Sequence, residues 1–380
     1  MASNMLTFLV VALFLMGGVV LWGQGQYTAA GPLDQAICVQ VPRGSNMSRI
    51  SENLDERGAI NSATLFRLGA DYTDKTQQLK AGSYLVSPGA SMEEIIDAIT
   101  RGGASTCGTE IVYRVGVTRT SVQIRELDPA TERFVVATEF IVGDDETPPL
   151  YTEKRGEADT RYRVAVAEGT TSWQIVDALR QMDVLQGDVD EIPPEGALAP
   201  DSYEVNSATT RADVLARMLD AQQERINVIW DSRQPNLPLE SAEEMVVLAS
   251  IIEKETGVPE ERGQVASVFV NRLERGMRLQ TDPTVIYGIT KGQGVLGRGL
   301  RQSELRRATP WNTYVIEGLP PTPIANPGLA SLQAAVDPDS TPFVFFVADG
   351  TGGHAFAETL EQHNANVARW REIEAERRDN

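Results

Sequence analysis

An α+β fold behind a single N-terminal apolar helix is what the sequence predicts, on three observations. Met5 to Trp22 is an unbroken, largely apolar run, and the first charged side chain is Asp34. A pattern of short strand, turn glycine, polar cap and amphipathic helix then recurs along the N-terminal half. From about residue 205 the apolar spacing becomes helical, with capping residues and glycine or proline stops.

The apolar run exceeds a usual signal-peptide core of about 7–15 residues and just reaches bilayer-spanning length, so an uncleaved anchor over 1–23 is favoured over a cleaved signal. No Lys or Arg precedes it, so flanking charge sets no orientation. Long C-terminal domains translocate largely regardless of charge, and a body outside the cytoplasm fits. A Gly/Gln/Ala/Pro linker follows over 24–36.

The recurring pattern reads VQVPRGSNMSRISENL, LVSPGASMEEIIDAI and VAVAEGTTSWQIVDAL, around Gly44, Gly89 and Gly169. Each copy keeps the same spacing from the glycine to two apolar helix positions: Ile50 and Leu54, Ile95 and Ile99, Ile175 and Leu179. Residues four apart share a helix face, so each unit needs a neighbour to cover it. The first two copies define a β-α domain over 37–107, and the third opens a connecting unit over 161–207. Between them, over 108–160, the alternating segments IVYRV, TSVQIREL and RFVVATEFIV predict a β-rich insert. A mainly helical α+β body occupies 208–380. Within it Ser241 and Glu244 make a capping-box signature before MVVLASII, and Gly257 and Pro259 predict the helix end. A second helix carries Val265, Val268, Phe269 and Leu273 as its stripe and closes at Gly276. FVFFVA reads as a buried strand.

Composition narrows the function. The chain has 380 residues, 42% hydrophobic and 23% charged, enough for two or three packed domains. A formal charge of −19 argues against nucleic acid, which is held by excess Lys and Arg. Two cysteines, Cys38 and Cys107, and two histidines, His354 and His363, offer no metal-ligand spacing, so neither a metal nor another cofactor is expected. The sequence is read as carrying no G-x-S-x-G elbow, Walker loop or G-x-G-x-x-G fingerprint, so serine-hydrolase, NTPase and dinucleotide functions are not expected.

The chemistry concentrates in the EKE tripeptide. At about 100° per residue, Glu255 lies ~50° from the centre of the apolar face of the Met245–Ile252 helix and Glu253 ~105°. Glu255 therefore points toward packed surroundings, and Lys254 toward solvent. Burial and the negative end of the helix dipole both raise the pKa of a carboxyl so placed. Such a protonated acid is what a glycosidic oxygen requires. The other reading from spacing is an ion pair to Arg262 of the next helix, and Glu253 stays a second candidate. Asp282 is the nearby carboxylate that a two-carboxylate hydrolase would use; beside Pro283 it also suits a turn. Gln280, Thr281, Tyr287, Asn312 and Tyr314 are cleft candidates, since glycans are gripped by amides and flat apolar faces. His354 suits either a sugar contact or a hairpin.

LASIIEKETGVPEERGQVASVFVNRLERGMRLQTDPTVIYGI, NTYVIEGLPPTPIANPG and FVADGTGGHAFAETLEQHN resemble, in that order, the blocks of the YceG-like endolytic murein transglycosylases. EGALAPDSY is a weaker upstream match, with smaller residues where the family often carries aromatics. Together these cover about 195–366, and residues 37–104, including LKAGSYLVSPG, resemble the LysM-like domain that accompanies the family. The resemblance implies one glutamate, Glu255, as acid and then base, closing the MurNAc 6-hydroxyl onto C1 to leave a 1,6-anhydroMurNAc end. The Glu255-Thr256 pair is similar to the Glu-Ser pair of other lytic transglycosylases. Also implied are peptidoglycan strands as partner, a role in ending nascent strands, contacts with synthases or division proteins, and an inner-membrane anchor with the body on the periplasmic side. An oxidising compartment would permit a Cys38–Cys107 bridge.

Overall fold

The computed structural model describes residues 2–101, 106–128, 130–144, 146–157 and 160–379. It divides into two compact units, Met1–Val112 with Val122–Phe140 and Asp145–Tyr162, and Tyr113–Ser121 with Ile141–Asp144 and Arg163–Asn380. In chain order the helices are α1 (Ala2–Thr28), α2 (Met47–Glu56), α3 (Ala63–Tyr72), α4 (Met92–Arg101), α5 (Pro149–Lys154), α6 (Ser172–Gln181) and α7 (Arg211–Asp231). They continue with α8 (Ala242–Glu255), α9 (Arg262–Glu274), α10 (Asp282–Thr290), α11 (Gln302–Leu305), α12 (Leu329–Val336) and α13 (Leu360–Asp379). The strands are β1 (Ile37–Val41), β2 (Gly82–Val86), β3 (Thr109–Val115), β4 (Thr120–Asp128), β5 (Arg133–Ile141), β6 (Arg161–Val166), β7 (Ser202–Val205), β8 (Phe345–Ala348) and β9 (His354–Ala357).

In the first unit, β1 and β2 pair antiparallel with Ile37 opposite Val86 and Val41 opposite Gly82. Their inward residues Val39, Val41, Tyr84 and Val86 close on Ile50 and Leu54 of α2 and Ile95, Ile96 and Ile99 of α4. The recurring pattern of the sequence is the recurring structure: β1–α2, β2–α4 and β6–α6 each turn at a glycine, with φ of +78° at Gly44, +69° at Gly89 and +76° at Gly169. A Cβ is strained there, which is why glycine recurs. Side-chain caps follow, from Asn46 to the Arg49 N–H and from Thr171 to the Gln174 N–H, the latter a full capping box. Cys38 and Cys107 are disulfide-bonded, 69 residues apart, with 5.8 Å between Cα atoms. The C-terminal end of α1 docks beside α3, where a Cβ on Gly69 would lie 2.2 Å from the Tyr27 ring. Toward its other end α1 exposes Phe8, Leu13, Phe14 and Trp22.

The alternating segments of the predicted insert form β3, β4 and β5, while the short helix α5 was not anticipated there. The sheet order is β5-β4-β3-β6-β7.

The second unit is built around α8, whose Met245, Leu248, Ala249, Ile251 and Ile252 are fully buried. It packs against α7, α9, α10 and α12, and Val265, Ala266, Phe269, Leu332 and Ala335 complete this core. Three local expectations need correction. Ser241 caps the Glu244 N–H as expected, but the Glu244 carboxylate turns back to the Glu240 N–H at 2.7 Å, so the box is only half formed. Gly257 does not end α8: Thr256 leaves the helix in an extended conformation, and its hydroxyl takes the Val258 N–H at 3.0 Å. Pro259 then opens a 3-10 turn over Pro259–Glu261 before α9. FVFFVA gives β8, which pairs with β9 and is half-buried along its length, because a two-stranded hairpin leaves one face uncovered.

Candidate active site

Glu255 ends α8 on the side the helical period predicts, half-buried, and its carboxyl is held by the Thr281 hydroxyl rather than by Arg262. Burial pushes this carboxyl above the ordinary carboxylate range, and the negative charge of Asp282 adds to the rise. The Thr281 hydroxyl, His354 and Arg272 act in the opposite direction without cancelling it. An acid that is protonated at higher pH than usual, yet faces groups that stabilise its anion, is equipped both to give a proton and to take one back.

Two loops fix this acid's partner. The Gln280 and Thr281 N–H groups donate to the Thr313 carbonyl and hydroxyl at 3.1 and 3.0 Å, and the Thr284 hydroxyl donates to the Thr281 carbonyl at 2.8 Å. Gln280 adopts φ +50°, and its side chain is exposed. Thr281 is 3% exposed, so its hydroxyl serves Glu255 rather than solvent. Asp282 is exposed and accepts the Tyr314 hydroxyl at 2.7 Å. Burial, then the bond to Asp282, raises the pKa of Tyr314 and keeps the phenol neutral.

Asn312 corrects the sequence reading. It is fully buried, and its amide donates to the Glu304, Leu305 and Arg307 carbonyls at 3.1, 3.1 and 2.7 Å. An amide so engaged builds the loop and has no donor left for a sugar. Tyr287 lies farther along α10, half-buried, with its ring 5.9 Å from that of Trp311 and its hydroxyl 3.2 Å from Glu195. Glu253 points elsewhere and accepts the Gly328 N–H, at the start of α12, at 3.0 Å. Lys254 meets the expectation of a solvated face only in part: the residue is exposed, but its ammonium turns back to the Gly169 carbonyl at 3.2 Å and burial lowers its pKa. His354 takes the hairpin role: its Nδ1 and backbone N–H each lie 2.9 Å from the Glu261 carboxylate. Among the described residues, no group of three or more His, Cys, Asp or Glu side chains is placed to hold a metal ion.

A sequence model of the YceG-like family matches residues 39–140 and 145–369 of this chain. The chain belongs to the YceG-like family. The endolytic murein transglycosylase of Bacillus subtilis is 28% identical over 355 residues, 92% of this chain and 89% of that protein. That of Streptococcus pneumoniae R6 is 26% identical over 380 residues, 96% of this chain, which spans 64% of the pneumococcal protein's length. A crystal structure of a putative yceG-like protein from Listeria monocytogenes aligns with a TM-score of 0.46 at 27% identity, covering 87% of this chain and 99% of that one.

In this YceG-like chain, two inward-facing ionisable groups escaped the sequence reading. Glu195, from EGALAPDSY, accepts the Ser172 N–H at 2.7 Å as well as the Tyr287 hydroxyl, and burial raises its pKa. Arg272, on α9, is 7% exposed and pointed inward. The dinucleotide reading also needs a corrected reason. Gly292, Gly294 and Gly297 do spell G-x-G-x-x-G, but the stretch follows helix α10 and leads only to the four-residue α11. The strand–turn–helix that would cradle a pyrophosphate is absent there.

Proposed function

We propose that this chain is a membrane-anchored endolytic transglycosylase that cleaves the MurNAc–GlcNAc β-1,4 bond of peptidoglycan with Glu255 as its single acid and base. The observation that carries the reading is the half-buried Glu255 carboxyl, raised in pKa and held by Thr281. In the first half of the reaction Glu255 gives its proton to the GlcNAc O4 as the C1–O4 bond breaks. In the second half the Glu255 carboxylate takes the proton of the MurNAc 6-hydroxyl as O6 bonds to C1. The glutamate is regenerated protonated, no water is consumed, and the strand ends in 1,6-anhydroMurNAc.

The family match and the relatives that are endolytic murein transglycosylases support the substrate class. Exposed Gln280, Asp282 and the half-buried Tyr314 are the glycan contacts in this reading, with Tyr287 behind them and Thr281 positioning the acid. The Thr7–Thr28 segment of α1, with mean hydropathy 2.0 and nothing of its apolar window buried, suits a single inner-membrane span carrying the body on the periplasmic side. The LysM-like resemblance of 37–104 supports a peptidoglycan grip, and an endolytic cut would end nascent strands, where synthases or division proteins would be met.

A muramidase using Asp282 and water would leave reducing MurNAc ends instead, and a non-catalytic scaffold would bind sacculi without cutting them. Mass spectrometry of the products separates the three: ends one water lighter than hydrolysed ones support the proposal, while reducing ends or intact strands contradict it.

A further inference from the structure

We infer that Arg272 is a positioning residue for Glu255: it ties the loop that carries Thr281 to the start of β8 and supplies the fixed positive charge against which the Glu255 carboxylate forms. The inference rests on the reading of Glu255 as acid and base.

Arg272 is buried on α9, and every hydrogen bond it makes goes to a neutral carbonyl. Its Nε donates to Val344 at 2.6 Å, and one terminal nitrogen donates to Leu279 at 2.7 Å and Arg278 at 3.3 Å. Its guanidinium also lies 5.4 Å from the centre of the Phe345 ring. Among the described residues it forms no ion pair. A buried guanidinium bonded only to carbonyls carries a desolvation penalty that no counter-ion offsets. Burial accordingly depresses its pKa, and the Glu255 carboxylate opposes that depression.

The same contacts reach Glu255 through the chain. Leu279 and Arg278, held by Arg272, lead directly to Gln280 and to Thr281, whose hydroxyl grips the acid. The groups facing Glu255 are Thr281 and Asp282 at the start of α10, His354 of β9 with its Nδ1 on Glu261, Tyr314 with its hydroxyl on Asp282, and Arg272. Asp282 opposes a second negative charge, and the buried tyrosine stays neutral. Arg272 is the guanidinium of this set and stays cationic across the working pH range. Once Glu255 has protonated the leaving oxygen, its anion has to persist until the 6-hydroxyl proton arrives, and Arg272 lowers the energy of that state.

The test uses the full-length protein in detergent on uncross-linked glycan strands, with Arg272→Gln, Arg272→Met and Arg272→Lys. The methionine variant is included because apolar replacement of a buried ion is commonly tolerated. Activity requires protonated Glu255, so the rate falls as pH rises through its pKa. In both neutral variants this alkaline limb should move to higher pH. Their kcat should fall by roughly 10–100-fold while KM changes by less than about 2-fold, since an interaction confined to the reacting states is removed. Arg272→Lys should keep the parent's limb and lose part of kcat. A folded neutral variant with reduced kcat and an unmoved limb would make Arg272 a packing residue and overturn the inference, as would failure of both neutral variants to fold. Glu255→Gln run in parallel keeps the two claims apart. If it still cleaves, the reading of Glu255 fails; if it is inactive while the limb stays fixed in the Arg272 variants, only the inference about Arg272 fails.

Discussion

Replacing Thr281 with valine removes one hydroxyl and keeps the shape of the side chain, so it isolates the hydrogen bond that holds Glu255. The backbone contacts that place residue 281 do not involve this hydroxyl: its N–H donates to Thr313 and its carbonyl accepts from Thr284. A hydrogen bond to a charged group contributes roughly 1.5–3 kcal/mol net. It stabilises the carboxylate against the protonated form, so its loss raises the Glu255 pKa further. The sign follows: Thr281→Val should shift the alkaline limb of the pH–rate profile upward. The step that needs the carboxylate as base should slow by roughly 10–150-fold, which is the same free energy placed on a barrier. Initial rates of strand cleavage from pH 4 to 9, with thermal melts to verify folding, measure both. A variant with the parent's kcat and limb would show that Thr281 does not act on the reacting carboxyl, and the site geometry given above would be wrong.

Stability should answer to pH through the same acid. Because the folded pKa of Glu255 is raised, its contribution is full below the ordinary carboxylate range and is lost as pH rises through the folded value. The Tm of Glu255→Gln should therefore gain on that of the parent between pH 4 and pH 8, and a constant difference would refute the burial argument. Phe269, 1% exposed at the centre of the second unit's core, should cost about 3–5 kcal/mol when changed to alanine; a chemical-denaturation midpoint near the parent's would contradict this. The Cys38–Cys107 bridge spans 69 residues, and a loop of that length is worth about 2–4 kcal/mol. Reduction should lower the stability of the first unit, whereas labelling of both thiols in unreduced, denatured protein would show that no bridge had formed.

What the sequence disclosed was whatever depends on neighbours a few residues away. The strand–glycine–helix units around Gly44, Gly89 and Gly169 were legible because a left-handed turn and a helix cap both leave local marks. The direction of Glu255 was legible because helical period alone sets it. The end of α8 was misread at Gly257 because the chain leaves the helix one residue earlier, in the extended backbone of Thr256, and composition does not mark that residue. Asn312 was misread for a different reason. A polar amide looks the same in a string of letters whether its donors face a glycan or, as here, three backbone carbonyls of its own loop. Arg272 and Glu195 were invisible as site residues because the contacts that define them, to Val344 and Tyr287, cross 72 and 92 residues of chain. An arginine in a helix with charged neighbours normally reads as surface, and only the packing of α9 turns this one inward.

The central claim is that Glu255 alone cuts glycan without water, and the chemical identity of the new strand ends tests it most directly. Full-length parent, Glu255→Gln and Glu253→Gln should each be incubated with purified murein and the released ends weighed by mass spectrometry. The account predicts 1,6-anhydroMurNAc ends from the parent and from Glu253→Gln, whose carboxyl serves the start of α12, and at least a ~10²-fold loss of those ends from folded Glu255→Gln. Reducing MurNAc ends from the parent, or undiminished anhydro ends from Glu255→Gln, would contradict it.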